Sequence, residues 1–202
     1  MPEKEKNTEN KILEAAKNVF LRKGMAGARM QEIADEARIN KSLLHYYYRS
    51  KEKLFLAVFQ FAIRKFIPQI KQILLSEDTM ENKIRMFVDN YIEVLLQHPF
   101  VPMFIIQEIQ RDPDRLFNIF LDAGVEPNLI VEQIEKEMKS GDIREVDPKE
   151  LLINMLSLCI FPFAAKPVMQ RIFFQNNSKT YKQFLKQRKE TVADFIINSL
   201  RK

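Results

Sequence analysis

The stretch RMQEIADEARINKSLLHYYYRSKEK, residues 29–53, decides the fold of this chain. Its first part predicts a short helix, because Ile33, Ala34 and Ala37 recur at the spacing of one helical face. Residues 38–40 interrupt that pattern, and a second helical pattern starts directly after them. The stretch therefore predicts two short helices joined by a tight turn, followed by the start of a third helix.

The second of these helices is predicted over residues 41–47, with Asn40 as its N-cap. Leu44, with Ile39 and Tyr48 on either side, can turn towards a core, which leaves the opposite face to solvent. That face is cationic and rich in hydroxyl groups, as a helix that enters the major groove of DNA requires. Its side chains are Lys41, Ser42, Leu43, Tyr46 and Tyr47.

The run IADEARINKSLLHYYYRSKEKLF, residues 33–55, resembles the helix-turn-helix of the tetracycline-repressor (TetR/AcrR) family of bacterial transcriptional regulators. The family pattern is roughly I-A-x-x-A-G-V-S-x-x-x-L-Y-x-x-F-x-[SN]-K-[ED]-x-L. The chain departs from it at Arg38, where glycine is usual, and at Asn40, His45 and Tyr48, which replace Ser, Tyr and Phe. Because glycine suits a turn with positive φ, Arg38 should either reshape the turn or carry strain. The matching residues are Ile33, Ala34, Ala37, Leu44, Ser50, Lys51, Glu52 and Leu54, with Ile39 in place of Val.

The resemblance implies an all-α fold with two domains. Residues 1–50 are expected to form a three-helix, homeodomain-like helix-turn-helix domain, and residues 51–202 a larger helical domain for ligand binding and dimerisation. Within the first domain, Tyr46, Tyr47 and Lys51 match positions that grip the sugar-phosphate backbone. The full set of expected DNA-binding residues is Gln31, Asn40, Lys41, Ser42, Leu43, His45, Tyr46, Tyr47 and Lys51.

The distribution of charge agrees with a DNA-reading N-terminal part. Residues 1–60 contain 12 Lys and Arg against 8 Asp and Glu, whereas residues 61–202 contain 20 against 19. A local cationic excess is what neutralisation of phosphates requires. The single cysteine, Cys159, excludes an intramolecular disulfide and indicates a reducing cytoplasm. The apolar runs are interrupted before the ~18 residues of a membrane span, so no membrane partner is expected.

The remainder of the chain is predicted to be a set of helices. Helix starts are indicated at Thr79, at Asp147-Pro148 and at residues 176–178, and Pro68 should bend or split a long helix that begins at Lys51. Aromatic and methionine residues are frequent here, and such side chains suit a cavity for apolar ligands. A closed core is the alternative reading of the same residues. The expected ligand-binding residues are Phe66, Phe87, Tyr91, Phe104, Gln107, Phe117, Phe120, Met155 and Phe161.

The last two helical segments contain more apolar surface than one partner face would bury. Packed against their copies they would form a four-helix interface, as the resemblance implies, and burial within one protomer is the alternative. The expected dimer-interface residues are Leu151, Met155, Leu158, Phe184, Arg188, Val192, Phe195 and Ile196.

The leading hypothesis is a dimeric, ligand-responsive transcriptional regulator, a repressor that a largely apolar small molecule releases from its operator. No cofactor is expected, because the sequence contains neither a metal-ligand spacing nor a Gly-rich phosphate loop. Its expected partners are a palindromic double-stranded DNA operator, a small-molecule inducer and a second copy of the chain. One rival is a helical binding protein or sensor for lipophilic molecules that does not read DNA. The other is a helical enzyme, which finds little support, because His45 and His98 are far apart and Cys159 lies in an apolar run.

Overall fold

The computed structural model describes residues 3–141 and 143–201, and the regular secondary structure of these residues is entirely helical, which confirms the all-α fold class. The helices in chain order are α1 (Glu3–Gly27), α2 (Met30–Glu36), α3 (Lys41–Tyr47), α4 (Lys51–Leu74), α5 (Met80–Gln97), α6 (Val101–Arg111), α7 (Pro113–Asp122), α8 (Pro127–Ser140), α9 (Pro148–Ala164), α10 (Lys166–Phe174) and α11 (Ser178–Leu200).

The chain divides into two compact units, unit 1 (residues 1–65) and unit 2 (residues 66–202), and the division falls inside α4. The boundary predicted after residue 50 lies earlier, just before α4 begins. The first part of α4 belongs to unit 1 because its apolar side chains are buried there. Phe55, for example, meets Phe20 of α1 edge-on, with ring centroids 4.8 Å apart.

Unit 1 is a small helical domain whose core is made by one apolar stripe from each helix. Each stripe follows the helical period, so that the side chains of α1, α2, α3 and the start of α4 meet in one interior. Gly24 interrupts α1 with a φ of 67°, a conformation that glycine adopts at little cost. The largest fully buried side chains of this core are Ile12, Val19, Phe20, Ile33, Leu44, Leu54, Val58 and Phe59.

Unit 2 is built around α5, which packs against α9 and α11. The buried stripe of α5 includes Ile84, Val88 and Ile92, and that of α11 includes Leu185 and Ile196. Ion pairs at the edge of this contact join Lys189 to Asp89 at 3.1 Å and to Glu93 at 2.9 Å. These pairs are partly exposed, so burial of the apolar stripes is the larger stabilising contribution.

Side-chain caps set the helix starts in unit 2, as predicted. The side chain of Thr79 accepts a hydrogen bond from the backbone of α5, that of Asp147 from α9, and that of Asn177 from two N–H groups of α11. Pro68 does not split α4, which continues to Leu74. Pro162 likewise lies inside α9.

One helix pair of unit 2 combines length with apolar character. Among the described residues, no single helix is both long and apolar enough to cross a membrane. Only the pair Pro148–Ala164 and Lys166–Phe174, taken together, reaches that length and hydropathy, and the two helices are bent by 76° at their junction.

Candidate functional site

Helix α3 is held in unit 1 by two side chains that are buried there. Leu44 is fully buried, and Tyr48, the residue after α3, is nearly so. The Tyr48 hydroxyl donates a hydrogen bond to Oε1 of Glu9 in α1 at 3.0 Å. Burial, and then the Glu9 carboxylate, raise the pKa of Tyr48. Tyr48 stands where the family pattern has phenylalanine. Its additional hydroxyl group therefore has the hydrogen-bond partner that a buried polar group requires.

The turn before α3 has the left-handed conformation that the family pattern assigns to glycine. Arg38 has a φ of 56°, so the turn is kept and Arg38 carries the strain, which costs about 1–2 kcal/mol for a residue with a Cβ atom. Asn40 follows and caps α3, as predicted, because its side-chain Oδ1 accepts a hydrogen bond from the Leu43 N–H at 2.7 Å. Together these residues fix the direction in which α3 leaves the turn.

The outward face of α3 carries most of the side chains that were predicted to contact DNA. Tyr46 is 80% exposed, and its ring meets that of Tyr47 edge-on at 5.6 Å. Ammonium, hydroxyl and imidazole groups on such a face can donate to phosphate oxygens and to base edges. Lys41, Ser42, His45 and Tyr46 are exposed, whereas Leu43 and Tyr47 are half-buried.

Two further predicted residues lie beside α3. Gln31, in α2, is exposed and donates from Nε2 to Asp35 Oδ1 at 2.8 Å. Lys51 donates from Nζ to the backbone carbonyl oxygens of Ala26 at 3.3 Å and Ala28 at 3.2 Å. An ammonium group has three N–H donors, so one donor remains for a phosphate. Lys51 thus also ties the connector after α1 to the start of α4.

The acidic side chains of α2 are engaged by α1. Arg22 pairs with Glu36 at 2.7 Å, and Lys23 pairs with Glu32. The hydrogen bond from Arg22 lowers the pKa of Glu36, and that from Lys23 lowers the pKa of Glu32. By contrast, Lys41 takes part in no ion pair with the described residues. The positive charge at the start of α3 is therefore directed to solvent, while the DNA contacts themselves stay a prediction.

Unit 2 contains a cavity of about 80 Å³ between α4, α5, α8 and α9. Its wall is mainly apolar, and its polar side chains are Lys83, Gln133 and Glu137. The apolar lining residues are Ile70, Ile73, Leu74, Met80, Ile84, Phe87, Ile130, Ile134, Leu152 and Met155.

The structure places two of the nine predicted ligand-binding residues, Phe87 and Met155, in this cavity wall. Phe66 and Tyr91 stack on each other with ring centroids 5.4 Å apart, and the Tyr91 ring lies 5.6 Å from that of the lining residue Phe87. The remaining five lie elsewhere: four belong to α6 and α7, which do not contribute to this cavity, and the fifth, Phe161, is exposed on α9. Phe104 is buried, Phe120 is half-buried, and Gln107, Phe117 and Phe161 are exposed.

The eight predicted dimer-interface residues of α9 and α11 differ in their exposure within the single chain. Arg188 is half-buried and donates from Nη2 to the carbonyl oxygen of Leu158 at 2.7 Å, and burial lowers its pKa. Phe195 is 64% exposed. Leu158 and Phe184 are half-buried, and Leu151, Met155, Val192 and Ile196 are buried within the single chain.

The exposed apolar surface of α9, α10 and α11 is made partly by residues that the sequence did not single out. The pattern could not identify them, because α9 is apolar on nearly every side and offers no polar face to mark its orientation. We call this set the outer apolar surface. It consists of Ile153, Leu156, Phe161, Val168, Ile172, Phe173 and Phe195.

Lys83 and Glu137 of the cavity wall were also missed. Lys83 lies one turn after Met80 and one turn before Phe87, so a charged residue occupies an apolar position of its helix. Glu137 has the same relation to Ile134 in α8. A charged residue inside an apolar stripe is the sequence signal that could have identified each of them. The ion pair between them was not predictable in this way, because the two residues are far apart in the chain.

The described residues give little basis for catalysis. Cys159 is fully buried, and burial raises the pKa of its thiol to about 12, so the nucleophilic thiolate is disfavoured. No group of three or more His, Cys, Asp and Glu side chains within residues 3–141 and 143–201 is placed to hold a metal ion.

Comparison with known proteins finds sequence similarity over the helix-turn-helix segment. Residues 12–58 match the sequence profile described as "Bacterial regulatory proteins, tetR family". A stretch of 105 residues is 30% identical to the HTH-type transcriptional repressor NicS of Pseudomonas putida and covers 52% of this chain and 50% of that protein. A stretch of 145 residues is 28% identical to the HTH-type transcriptional regulator RutR of Escherichia coli O157:H7 and covers 70% of this chain and 66% of that protein.

The solved structures extend the similarity to the whole fold. The crystal structure of the transcriptional regulator FadR from Bacillus subtilis in complex with stearoyl-CoA matches with a TM-score of 0.67 at 14% identity, over 95% of this chain and 98% of that chain. At this identity the match shows the fold alone. In sequence, the chain spans half or less of the length of the relatives that it matches at 30% identity or more.

Proposed function

We propose, on the premise that this chain belongs to the tetR family of bacterial regulatory proteins, that it is a transcriptional repressor that binds a palindromic DNA operator as a homodimer in the cytoplasm. A small, largely apolar molecule that binds unit 2 would release it. The observation that carries the proposal is the exposed cationic and tyrosine-bearing face of α3, held in place by the buried Leu44 and Tyr48.

The geometry of α3 supports major-groove binding. The helix is short, its N-terminus is capped, and Lys41 and Ser42 lie in its exposed first turn, where the side chains of recognition helices reach base edges. Tyr46 and Tyr47 lie further along the same helix and would contact the backbone. Phosphate contacts fix the position on the duplex, and base contacts supply the sequence preference.

The outer apolar surface supports self-association. Its side chains are large, and six of the seven, such as Phe161, Ile172 and Phe195, are more than half exposed. Large exposed apolar surface is characteristic of an interaction site. A second copy related by a twofold axis would bury it and would present two α3 helices to successive major grooves, about 34 Å apart.

The position of α4 supports a link between ligand and DNA. Its first part packs in unit 1, and its last part contributes Ile70, Ile73 and Leu74 to the cavity wall. A ligand that binds the cavity better in one arrangement of α4 than in another would shift the equilibrium between DNA-binding and non-binding states. A difference of ~1–3 kcal/mol would change operator occupancy about 5–150-fold.

Selection of bound sequences from random double-stranded DNA tests the proposal. The full chain should enrich an inverted repeat, because two copies would each read one half-site. Enrichment of no sequence, with binding that depends only on salt, would overturn sequence-specific regulation and favour the lipophile-binding rival.

A further inference from the structure

The cavity of unit 2 has an ion pair in its wall. The Lys83 ammonium lies 2.8 Å from Oε1 of Glu137, and the two side chains are 9% and 15% exposed. Lys83 belongs to α5 and Glu137 to α8, so the pair joins two of the helices that enclose the cavity. The other polar lining side chain, Gln133, lies one turn before Glu137 on the same face of α8.

An ion pair in this position contributes little to the stability of the fold. Removal of two charges from water costs several kcal/mol per ion, and a well-packed apolar pair often serves equally well or better. Binding cavities, by contrast, combine an apolar wall with a few polar groups that orient the ligand. The Lys83–Glu137 pair fits the second description.

We propose that this cavity binds a short aliphatic carboxylate, whose head group displaces Glu137 from Lys83 and whose hydrocarbon tail occupies the apolar part of the wall. The inference rests on the proposed function for its regulatory meaning, since the acid would then be the inducer. Gln133 also lines the cavity, and its amide would donate to the second carboxylate oxygen.

The burial of the two partners favours an anionic ligand over a cationic one. A carboxylate ligand would leave Glu137 without Lys83, but Glu137 is the more exposed partner and can turn towards water. A cationic ligand on Glu137 would instead leave the ammonium of Lys83, the less exposed partner, without a counter-charge. An unpaired buried charge is strongly unfavourable.

The cavity volume sets how much of the tail is buried. A cavity of ~150 Å³ holds a benzene molecule, and the volume here is about 80 Å³. The cavity therefore holds about three carbon atoms of the tail, and the end of a longer tail extends into the solvent to which the cavity opens. Binding would replace the contact between α5 and α8 by contacts through the ligand, which gives the acid a way to favour one arrangement of the helices.

Isothermal titration calorimetry of the full chain with three ligands of equal length tests the inference. Hexanoate should bind at least about tenfold more tightly than 1-hexanol, and hexylamine should bind more weakly than either. Lys83→Met, which keeps the length of the side chain, should remove the preference for hexanoate over 1-hexanol. Glu137→Gln should strengthen hexanoate binding about tenfold, because the competing carboxylate is gone, and should leave 1-hexanol unchanged.

The inference is overturned if hexylamine binds best, if hexanoate and 1-hexanol bind equally, or if Glu137→Gln weakens hexanoate binding. The last variant keeps the side-chain shape and an amide oxygen that can accept a hydrogen bond from Lys83, so it decides the matter even if Lys83→Met fails to fold. DNA binding is measured separately, without acid. Absence of hexanoate binding with intact operator binding contradicts this inference alone, whereas absence of operator binding contradicts the proposed function.

Discussion

Arg38 is the residue at which this chain departs most from the tetR family pattern that it resembles. Its φ of 56° places a long side chain where glycine is usual. Arg38→Gly should raise the free energy of unfolding by about 0.5–1 kcal/mol, because relief of the strain exceeds the extra entropy of glycine in the unfolded chain. Chemical denaturation measures the change. In the matched control Ala37→Gly, the φ of −77° carries no such strain, so stability should fall, and a loss of stability in Arg38→Gly would contradict the assignment.

Tyr48 makes a pH-dependent contribution to the stability of unit 1. Because burial raises its pKa in the folded chain, the folded state keeps the hydroxyl proton to higher pH than the unfolded state does. This contribution is present below about pH 10 and is lost as the pH rises above it. Tyr48→Phe should cost about 1 kcal/mol at neutral pH and should reduce the alkaline loss of stability.

Denaturation of both proteins between about pH 8 and pH 11 checks this prediction. The control is Tyr46→Phe, since the Tyr46 ring is exposed, and its profile should follow that of the unchanged chain. Identical alkaline profiles for Tyr48→Phe and the unchanged chain would contradict the raised pKa that burial and the Glu9 carboxylate give Tyr48.

At the scale of helices, substitution of two asparagine N-caps distinguishes an effect on stability from an effect on DNA binding. Asn40 caps α3 and Asn177 caps α11. Asn40→Ala and Asn177→Ala should each lower the free energy of unfolding by about 1 kcal/mol. Only Asn40→Ala should also weaken DNA binding, because only α3 is the proposed recognition helix. Equal DNA affinity for the two variants, in a gel-shift titration, would argue against that role.

The short helices of unit 1 were predictable because their signals are local. The Asn40 cap and the apolar period of Ile33 and Leu44 are all contained within a few turns of chain. The positive φ of Arg38 was one of two open possibilities, and only the structure decides between them. Local signals also gave the starts of α5, α9 and α11.

The cavity and the outer apolar surface were less predictable because they depend on how helices are oriented. Phe117 and Phe161 are of a residue type that commonly lines cavities, yet both are exposed. Lys83 and Glu137 are of residue types that are common at the surface, yet they lie in a cavity wall. Composition alone does not state which face of an apolar helix meets its neighbour.

For the whole molecule, self-association depends on the outer apolar surface. Phe195→Glu should weaken the dimer at least about tenfold, because it would place a charge in an apolar interface. Sedimentation equilibrium measures the dissociation constant. The control is Phe117→Glu, on a helix outside that surface and 56% exposed, which should not change it. A protein that is monomeric at micromolar concentration without any substitution would contradict the dimer.

The most direct test of the central claim is the affinity of the full chain for its selected operator as a function of salt concentration. Lys41→Ala should lose about 1–3 kcal/mol of discrimination against altered half-sites, and Lys51→Ala should weaken binding to all sequences and reduce the salt slope by about 1. Lys182→Ala, an exposed lysine of α11, is the matched control and should match the unchanged chain. Affinities and slopes that are the same for all four proteins would contradict the account of α3 as the DNA-reading helix.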